Sequence, residues 1–246
     1  MKFEICLDSV AGVRAAVAAG ANRVELCANL LEGGTTPSLG LIRRARAVTG
    51  IVLHVMIRPR GGDFLYDDDE FAQMRDDIEA AKAEQVDGVV IGMLMPDGSL
   101  DRDRMAQLVA HARPMAVTCH RAIDMAADPF AALETLIELG IERVLTSGQE
   151  ASALDGLPLI AELVRRAAGR IVVMPGAGIT ARNADRIVRG SGATECHFAA
   201  LHDVDGGMLF RRGHVFMGGE LRAPEFSRAV TSLDMLRSVL AKAQSA

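Results

Sequence analysis

The chain has 246 residues, of which 50% are apolar and 24% charged, and its formal net charge is -5. This composition supplies enough apolar side chains for a large core and excludes intrinsic disorder. An acidic chain without basic clusters argues against a nucleic-acid partner, and no apolar run is long enough to span a bilayer.

Short β-branched runs alternate with segments of helical period along the chain. In chain order, strands and helices are predicted at 3–8, 10–19, 23–28, 39–48, 51–58, 68–85, 87–94, 101–112, 116–121, 128–139, 143–147, 157–168, 171–176, 180–189, 194–199 and 224–242. Eight such repeats in about 240 residues predict a parallel sheet closed into a (β/α)8 barrel. A doubly wound open sheet is the alternative, but the GxGxxG turn that usually follows its first strand is missing. We therefore expect residues 1–246 to form one (β/α)8 TIM barrel domain of the α/β class, with 201–222 as a long loop after strand eight.

Every second residue of the predicted strands is apolar, which separates the helix-facing side from the side that faces the barrel lumen. The lumen side carries polar groups, namely Glu4, Glu25, His54, Arg58, His120, Glu195 and His197. Because an ordinary lumen is filled with branched aliphatic residues, these groups must pair, bind a ligand or shift their pKa values. We expect a structural network around Glu4 and His54, which lie early in their strands.

Glu25, Arg58 and His120 are the candidate catalytic residues. Arg58 and His120 lie toward the C-terminal ends of their strands, where barrel active sites occur. The planar fork of Arg58 can clamp a carboxylate or phosphate, and an ordinary histidine exchanges a proton near neutral pH. Glu25 would orient His120, or act as a base itself if desolvation raises its pKa. The alternative is a buried network that only braces the barrel.

Glycine-rich loops follow the predicted strands two, three and seven. Glycine lets backbone N–H groups approach an anion, and the loop after strand seven binds phosphate in many barrels. We therefore expect Gly176 and Gly178, with the nearby hydroxyl of Ser147, to bind an anionic or phosphorylated group. The alternative is that these glycines only make tight turns.

Cys6 and Cys27 occupy matching places in the sequences EIC and ELC on neighbouring strands. Such strands lie about 4.8 Å apart, so two lumen-facing thiolates could share a soft ion such as Cu(I), and Met56 could add a thioether. The alternative is that they are small buried packing residues, which is how we interpret Cys119 and Cys196. The cysteines have no CxxC spacing and the N-terminus has no long apolar stretch, so we expect reduced thiols in a cytoplasmic protein.

Other cofactor chemistry is not expected. No lysine lies at the end of a predicted strand, and this excludes Schiff-base aldolases and pyridoxal-phosphate enzymes. We therefore expect no nucleotide or pyridoxal cofactor.

Motifs spread over nearly the whole chain resemble those of the copper homeostasis protein CutC family. They are CLDS, RVELC, EGGTTPS, VMIRPRGGDFLY, ALETLIELGIERVLTSG, GRIVVMPGAGIT and SGATE. The resemblance implies a cytoplasmic (β/α)8 barrel that handles copper and forms a homo-oligomer, a dimer or larger. In animal members of the family a Cu(I) site is attributed to the two cysteines that match Cys6 and Cys27, so the resemblance implies that site here.

Two functions remain open at this point. One is a copper-binding protein that uses Cys6 and Cys27. The other is a barrel enzyme of unknown reaction that acts on a small anionic or phosphorylated metabolite and needs Glu25, Arg58 and His120. Both predict a small ligand or a metal ion as the partner, with neither nucleic acid nor membrane.

Overall fold

The computed structural model describes residues 1–212, 214 and 227–246. Its barrel strands are β1 (Lys2–Leu7), β2 (Arg23–Leu26), β3 (Val52–Met56), β4 (Gly88–Ile91), β5 (Ala116–Cys119), β6 (Arg143–Thr146), β7 (Val172–Pro175) and β8 (Glu195–Phe198). The helices that alternate with them are α1 (Val10–Ala19), α2 (Leu39–Arg46), α3 (Asp68–Ala83), α4 (Arg102–Ala112), α5 (Pro129–Glu138), α6 (Leu157–Ala167), α7 (Ala184–Ser191) and α8 (Leu233–Gln244). Short 3₁₀ helices, Leu30–Glu32 and Arg121–Met125, follow β2 and β5.

The eight parallel strands confirm the predicted (β/α)8 barrel. They are hydrogen-bonded in the order β7-β6-β5-β4-β3-β2-β1-β8, and β7 packs beside β8 so that the sheet nearly closes. The helix-facing side chains of β1, Phe3, Ile5 and Leu7, are buried in the main apolar core. The strand alternation of apolar and polar residues therefore places one set against the helices and the other in the lumen.

The register of the strands determines which lumen residues meet. Glu4 of β1 lies opposite His197 of β8, and Cys6 lies opposite Glu25 of β2. Glu25 in turn lies opposite His54 of β3. Because neighbouring parallel strands run about 4.8 Å apart, these pairs bring acids, imidazoles and a thiol within reach of one another.

The chain after β8 differs from the prediction. Residues Leu201–Asp205 (β9) and Ser227–Thr231 (β10) form an antiparallel pair, so part of the predicted loop 201–222 is a strand. Residues 213 and 215–222 of that loop lie outside the described residues.

The last helix begins later than predicted. We expected it over 224–242, with a proline near its first turn, but α8 begins at Leu233. The hydroxyl of Ser232 accepts a hydrogen bond from the N–H of Met235, and this N-cap, rather than the proline, marks the start. None of the helices in the described ranges has the length and apolar character needed to cross a bilayer.

Candidate functional site

A cavity of about 520 Å³ opens where the loops leave the C-terminal ends of the barrel strands. The predicted catalytic residues Glu25, Arg58 and His120 all line it, together with Cys6 and Gly178. This is the end of the barrel at which TIM barrel enzymes bind their substrates. The candidate residues from five different strand–loop units therefore meet in one space.

Charged side chains fill the lumen below this cavity. Arg23 donates from Nε to Glu4 and from Nη2 to Oε2 of Glu195 at 2.6 Å, and Arg143 Nε donates to the same Glu195 oxygen at 3.0 Å. Nδ1 of His54 lies 3.9 Å from Oε2 of Glu4. Arg23, Arg143, Glu4 and Glu195 each have a partner of opposite sign in this network, as the cost of burying an ion requires. The contacts of Glu4 and His54 match the structural network that we expected for them.

Cys6, which lines the cavity, forms a thiol pair with the buried Cys27, and their Sγ atoms are 3.9 Å apart. The hydrogen bond from Cys27 lowers the pKa of the Cys6 thiol to about 5, against the opposing effect of burial and with further help from His197. The same shared hydrogen bond, together with burial, raises the pKa of the Cys27 thiol well above its ordinary value. At neutral pH the pair therefore holds one proton and one negative charge.

His197 connects this thiol pair to two carboxyl groups. Its Nδ1 lies 2.8 Å from Oε1 of Glu4, and its Nε2 lies 3.8 Å from Oε2 of Glu25. Burial opposes the charged form of His197, but the neighbouring Glu25, Cys6 and Glu4 raise the pKa of the imidazole well above its ordinary value. Burial raises the pKa of Glu25. A protonated imidazole that lines the cavity is thus held between acidic groups.

We had expected Glu25 to orient His120, but the structure does not pair these two side chains. Glu25 faces His197, while His120 lies just past the end of β5. There Nδ1 of His120 accepts a hydrogen bond at 3.2 Å from the N–H of Ala122. The imidazole is therefore oriented by the backbone of the following 3₁₀ helix, and Glu25 and His120 share only the cavity that both of them line.

The guanidinium of Arg58 ties together the loops that follow β2 and β3. Its Nη1 donates to the carbonyl oxygens of Glu32 and Gly34 at 2.7 and 2.8 Å, and its Nη2 donates to Gly62 at 2.9 Å. The group also lies 5.2 Å from the ring centre of Phe64. The fork that we predicted as an anion clamp is thus largely bound to backbone, and Nε is left buried with no hydrogen-bond partner among the residues described.

The loop after β6 already holds an anion, the carboxylate of Asp124. Its oxygens accept hydrogen bonds from the N–H groups of Ser147 and Gln149 at 2.9 and 3.2 Å, and from Nε of Arg121 at 2.7 Å. The Ser147 hydroxyl lies 3.0 Å from the same carboxylate and 2.6 Å from the Glu150 carbonyl. We expected the Ser147 hydroxyl to bind an external anion, but its hydrogen-bond partners are groups of the protein itself.

The two glycines of the loop after β7 have different surroundings. Gly178, with a φ of 67°, lines the cavity. A Cβ at Gly176 would lie 2.5 Å from Cδ1 of Leu145, so packing inside the barrel requires a glycine there. Gly178 stays a candidate for contact with a ligand, whereas the environment of Gly176 explains its identity without one.

Three residues of this site were not predicted from the sequence, namely Arg23, Phe64 and Asp124. Arg23 has the same strand parity as Glu25, and that parity was the signal that could have placed it in the lumen. Phe64 and Asp124 lie outside the strands, where no regular period indicates the direction of a side chain.

Comparison with known proteins identifies the family. The model of the CutC family matches residues 1–202. The copper homeostasis protein cutC homolog of Mus musculus is 53% identical over 242 residues, which are 98% of this chain and 89% of the mouse protein. The chain belongs to the CutC family. The family resemblance of the sequence motifs is thereby confirmed.

Solved structures agree with this CutC assignment. The putative copper homeostasis protein CutC from Streptococcus agalactiae superimposes with a TM-score of 0.77 at 34% identity, over 80% of this chain and 98% of that one. The N-(5'-phosphoribosyl)anthranilate isomerase from Pyrococcus furiosus superimposes with a TM-score of 0.60 over the full length of both chains, but at 12% identity. The isomerase shares the barrel fold with this CutC protein, and the likeness shows the fold alone.

Proposed function

We propose that this CutC-family protein binds Cu(I) between Cys6 and Cys27 and acts in copper homeostasis, with the ion as its cargo. The observation that carries the proposal is the 3.9 Å distance between the Sγ atom of Cys6, which lines an open cavity, and the Sγ atom of the buried Cys27. If zinc–thiolate bonds of about 2.3 Å are taken as a guide, one ion can contact both sulfurs at this distance.

The chemistry of the surrounding groups suits a soft monovalent ion. Met56 packs against Cys27 in a small cluster with Cys6, so a thioether lies beside the two thiols. The ligand atoms of Cys6, Glu25 and Cys27 all lie within 4.8 Å of one another. Because thiolates and thioethers select Cu(I) over hard cations, this sulfur-rich group favours copper over magnesium or calcium.

The protonation of the thiol pair sets how the ion binds. One thiolate is already present on the pair, since the pKa of Cys6 is about 5. The second sulfur must lose its proton, because the thiolate is the form that ligates a metal. Binding of Cu(I) is therefore expected to release about one proton at neutral pH.

The experiment is an anaerobic competition titration of Cu(I) against a chromogenic chelator. Cys6→Ser and Cys27→Ser should each weaken binding by more than about a hundredfold, because loss of a ligand exceeds the effect of losing an outer-shell partner. Cys119→Ser and Cys196→Ser are matched controls, since both cysteines are buried on the helix-facing side of their strands. Unchanged Cu(I) affinity in Cys6→Ser and Cys27→Ser would show that these cysteines are not the copper ligands.

The proposal also has consequences for location and assembly. Free thiols persist in a reducing compartment, so we place the protein in the cytoplasm. The family resemblance suggests a homo-oligomer, a dimer or larger, which light scattering of the purified protein tests directly. The alternative function, an enzyme for a small anionic metabolite, depends instead on Arg58 and His120.

A further inference from the structure

Two buried nitrogens on one wall of the cavity have no hydrogen-bond partner within the described ranges. They are Nε of Arg58 and Nε2 of His120. The two side chains are 5% and 4% exposed, and both line the cavity. Buried polar atoms are almost always hydrogen-bonded, so two orphan donors beside a cavity indicate a missing acceptor.

The charge of Arg58 is also unbalanced. Arg58 forms no ion pair with any acidic residue in the part of the chain that the structure describes. Its Nη atoms donate to neutral carbonyl groups, and the hydroxyl of Tyr66, which interacts with the guanidinium, is also a neutral group. A buried cation without an opposite charge is costly. The missing acceptor is therefore expected to be an anion.

His120 presents a donor to the same wall. Because Nδ1 accepts a hydrogen bond from the N–H of Ala122, the ring proton of the neutral imidazole lies on Nε2. Burial, and then the charge of Arg58, lower the pKa of His120 to about 3, so the ring is neutral at physiological pH. The ring of Phe64 contacts both groups, with its centre 4.8 Å from the centre of the His120 ring and 5.2 Å from the Arg58 guanidinium carbon.

We propose that Arg58 and His120 bind the carboxylate of a small organic acid in the mouth of the barrel. The two N–H donors match the two oxygens of a carboxylate, and the single charge of a carboxylate matches the unpaired charge of Arg58. The other cations of the cavity, Arg121 and His197, are already paired with Asp124 and Glu4. A phosphate dianion would leave an oxygen and a charge without partners beside Phe64. The apolar cavity residues Leu145, Ile179 and Phe198 suit a short aliphatic body. This carboxylate site needs neither Cys6 nor Cys27, so its test does not depend on whether the protein binds copper.

The probe is butyrate, with butyramide as an uncharged ligand of nearly the same shape and inorganic phosphate as the competing anion. Calorimetry should give a Kd for butyrate of about 1 mM or tighter, with butyramide and phosphate weaker by about tenfold or more. In protein labelled with ¹⁵N-histidine, butyrate should shift the Nε2–H resonance of His120. No saturable butyrate binding, or equal binding of butyramide, would overturn the proposal. Tighter binding of phosphate would overturn the assignment to a carboxylate.

Two substitutions at His120 separate ligand binding from folding. Asparagine and aspartate can both accept the hydrogen bond of the Ala122 N–H as N-cap residues, but only asparagine keeps a donor. The shorter asparagine side chain leaves its Nδ2 short of the position of Nε2, so His120→Asn should lose butyrate affinity by about threefold to tenfold. His120→Asp, which also adds a negative charge, should lose more than about tenfold. Cys196→Ser, which changes a core residue outside the cavity lining, should bind butyrate like the wild type. Unchanged butyrate affinity in a folded His120→Asp variant would contradict the proposed site.

Discussion

Nδ1 of His197 lies 2.8 Å from Oε1 of Glu4, across the pairing of β8 with β1. The other oxygen of the same carboxylate accepts from Nε of Arg23. One glutamate thus holds an imidazole that lines the cavity and anchors the ion-pair network below it. The hydrogen bond from His197 and the charge of Arg23 outweigh burial and keep the pKa of Glu4 far below its ordinary value.

Glu4→Gln should strongly destabilise the protein, because it leaves Arg23 and His197 as buried cations without their shared anion. Removal of one partner from a buried pair costs about 3–5 kcal/mol, which is the loss expected in the free energy of unfolding measured with urea. Glu134→Gln is the matched control, because Glu134 pairs with Arg170 at the surface and should matter far less. Equal effects of the two substitutions would show that the buried network does not stabilise the barrel.

The lumen was predictable from sequence because strand geometry is periodic. Alternation with a period of two placed Glu4, Glu25 and His197 on one face without knowledge of any contact. The pairing of Glu25 with His197 was not predictable, because it depends on the register of strands that are distant in the sequence.

The hydrogen bonds from Arg58 to backbone carbonyl groups and the position of Asp124 were not predictable either, because they depend on loop conformation, which has no period. The start of α8 was misplaced because proline and serine both mark helix N-termini, and only the structure shows which one does so here.

Gly34→Ala should weaken Cu(I) binding if the thiol pair is the copper site. Gly34 has a φ of 91°, and an added Cβ would lie 3.0 Å from Sγ of Cys27 and 3.6 Å from Cε of Met56. The substitution would displace the thiol and also strain the backbone by about 1–3 kcal/mol. The chelator competition titration measures the affinity, and urea unfolding measures the strain.

Gly20→Ala separates these two effects of the substitution. Gly20 has a similar φ of 82°, but an added Cβ there would meet no atom within 4 Å. Gly20→Ala should therefore lose about as much stability as Gly34→Ala, but its Cu(I) affinity should equal that of the wild type. Wild-type copper affinity in a folded Gly34→Ala variant would argue against a site that includes Cys27.

Asp124→Asn should loosen the loop that follows β6. An amide oxygen can still accept from Gln149, but the NH2 group would face the N–H of Ser147 and Nε of Arg121, which both donate to Oδ2 of the carboxylate. Hydrogen bonds to a charged group contribute about 2 kcal/mol each. Amide hydrogen exchange at Ser147 and Gln149 should become faster. Asp97→Asn is the control, because Asp97 makes a similar bond to the N–H of Ser99 on an exposed turn. Unchanged exchange at both loop amides would mean that this carboxylate does not hold the loop.

Acid should destabilise the protein partly through His120. The pKa of this imidazole is about 3 in the folded protein, because burial and the charge of Arg58 disfavour protonation. In the unfolded chain a histidine has a pKa of about 6.5. Between these two values the unfolded state binds the extra proton, so stability falls as the pH falls below the unfolded pKa. This contribution amounts to about 2 kcal/mol between about pH 7 and about pH 5.

His120→Asn removes the titrating group and keeps the N-cap acceptor for Ala122. Urea unfolding at both pH values should therefore show that the wild type loses more stability on acidification than this variant does. His202→Asn, on the exposed strand β9, controls for loss of a histidine and should follow the wild type. The prediction compares slopes with pH rather than stabilities at one pH, so a constant cost of the substitution does not affect it. Parallel pH profiles of the wild type and His120→Asn would mean that His120 has the same pKa in the folded and unfolded protein, and the suppression of its protonation by burial and Arg58 would then be wrong.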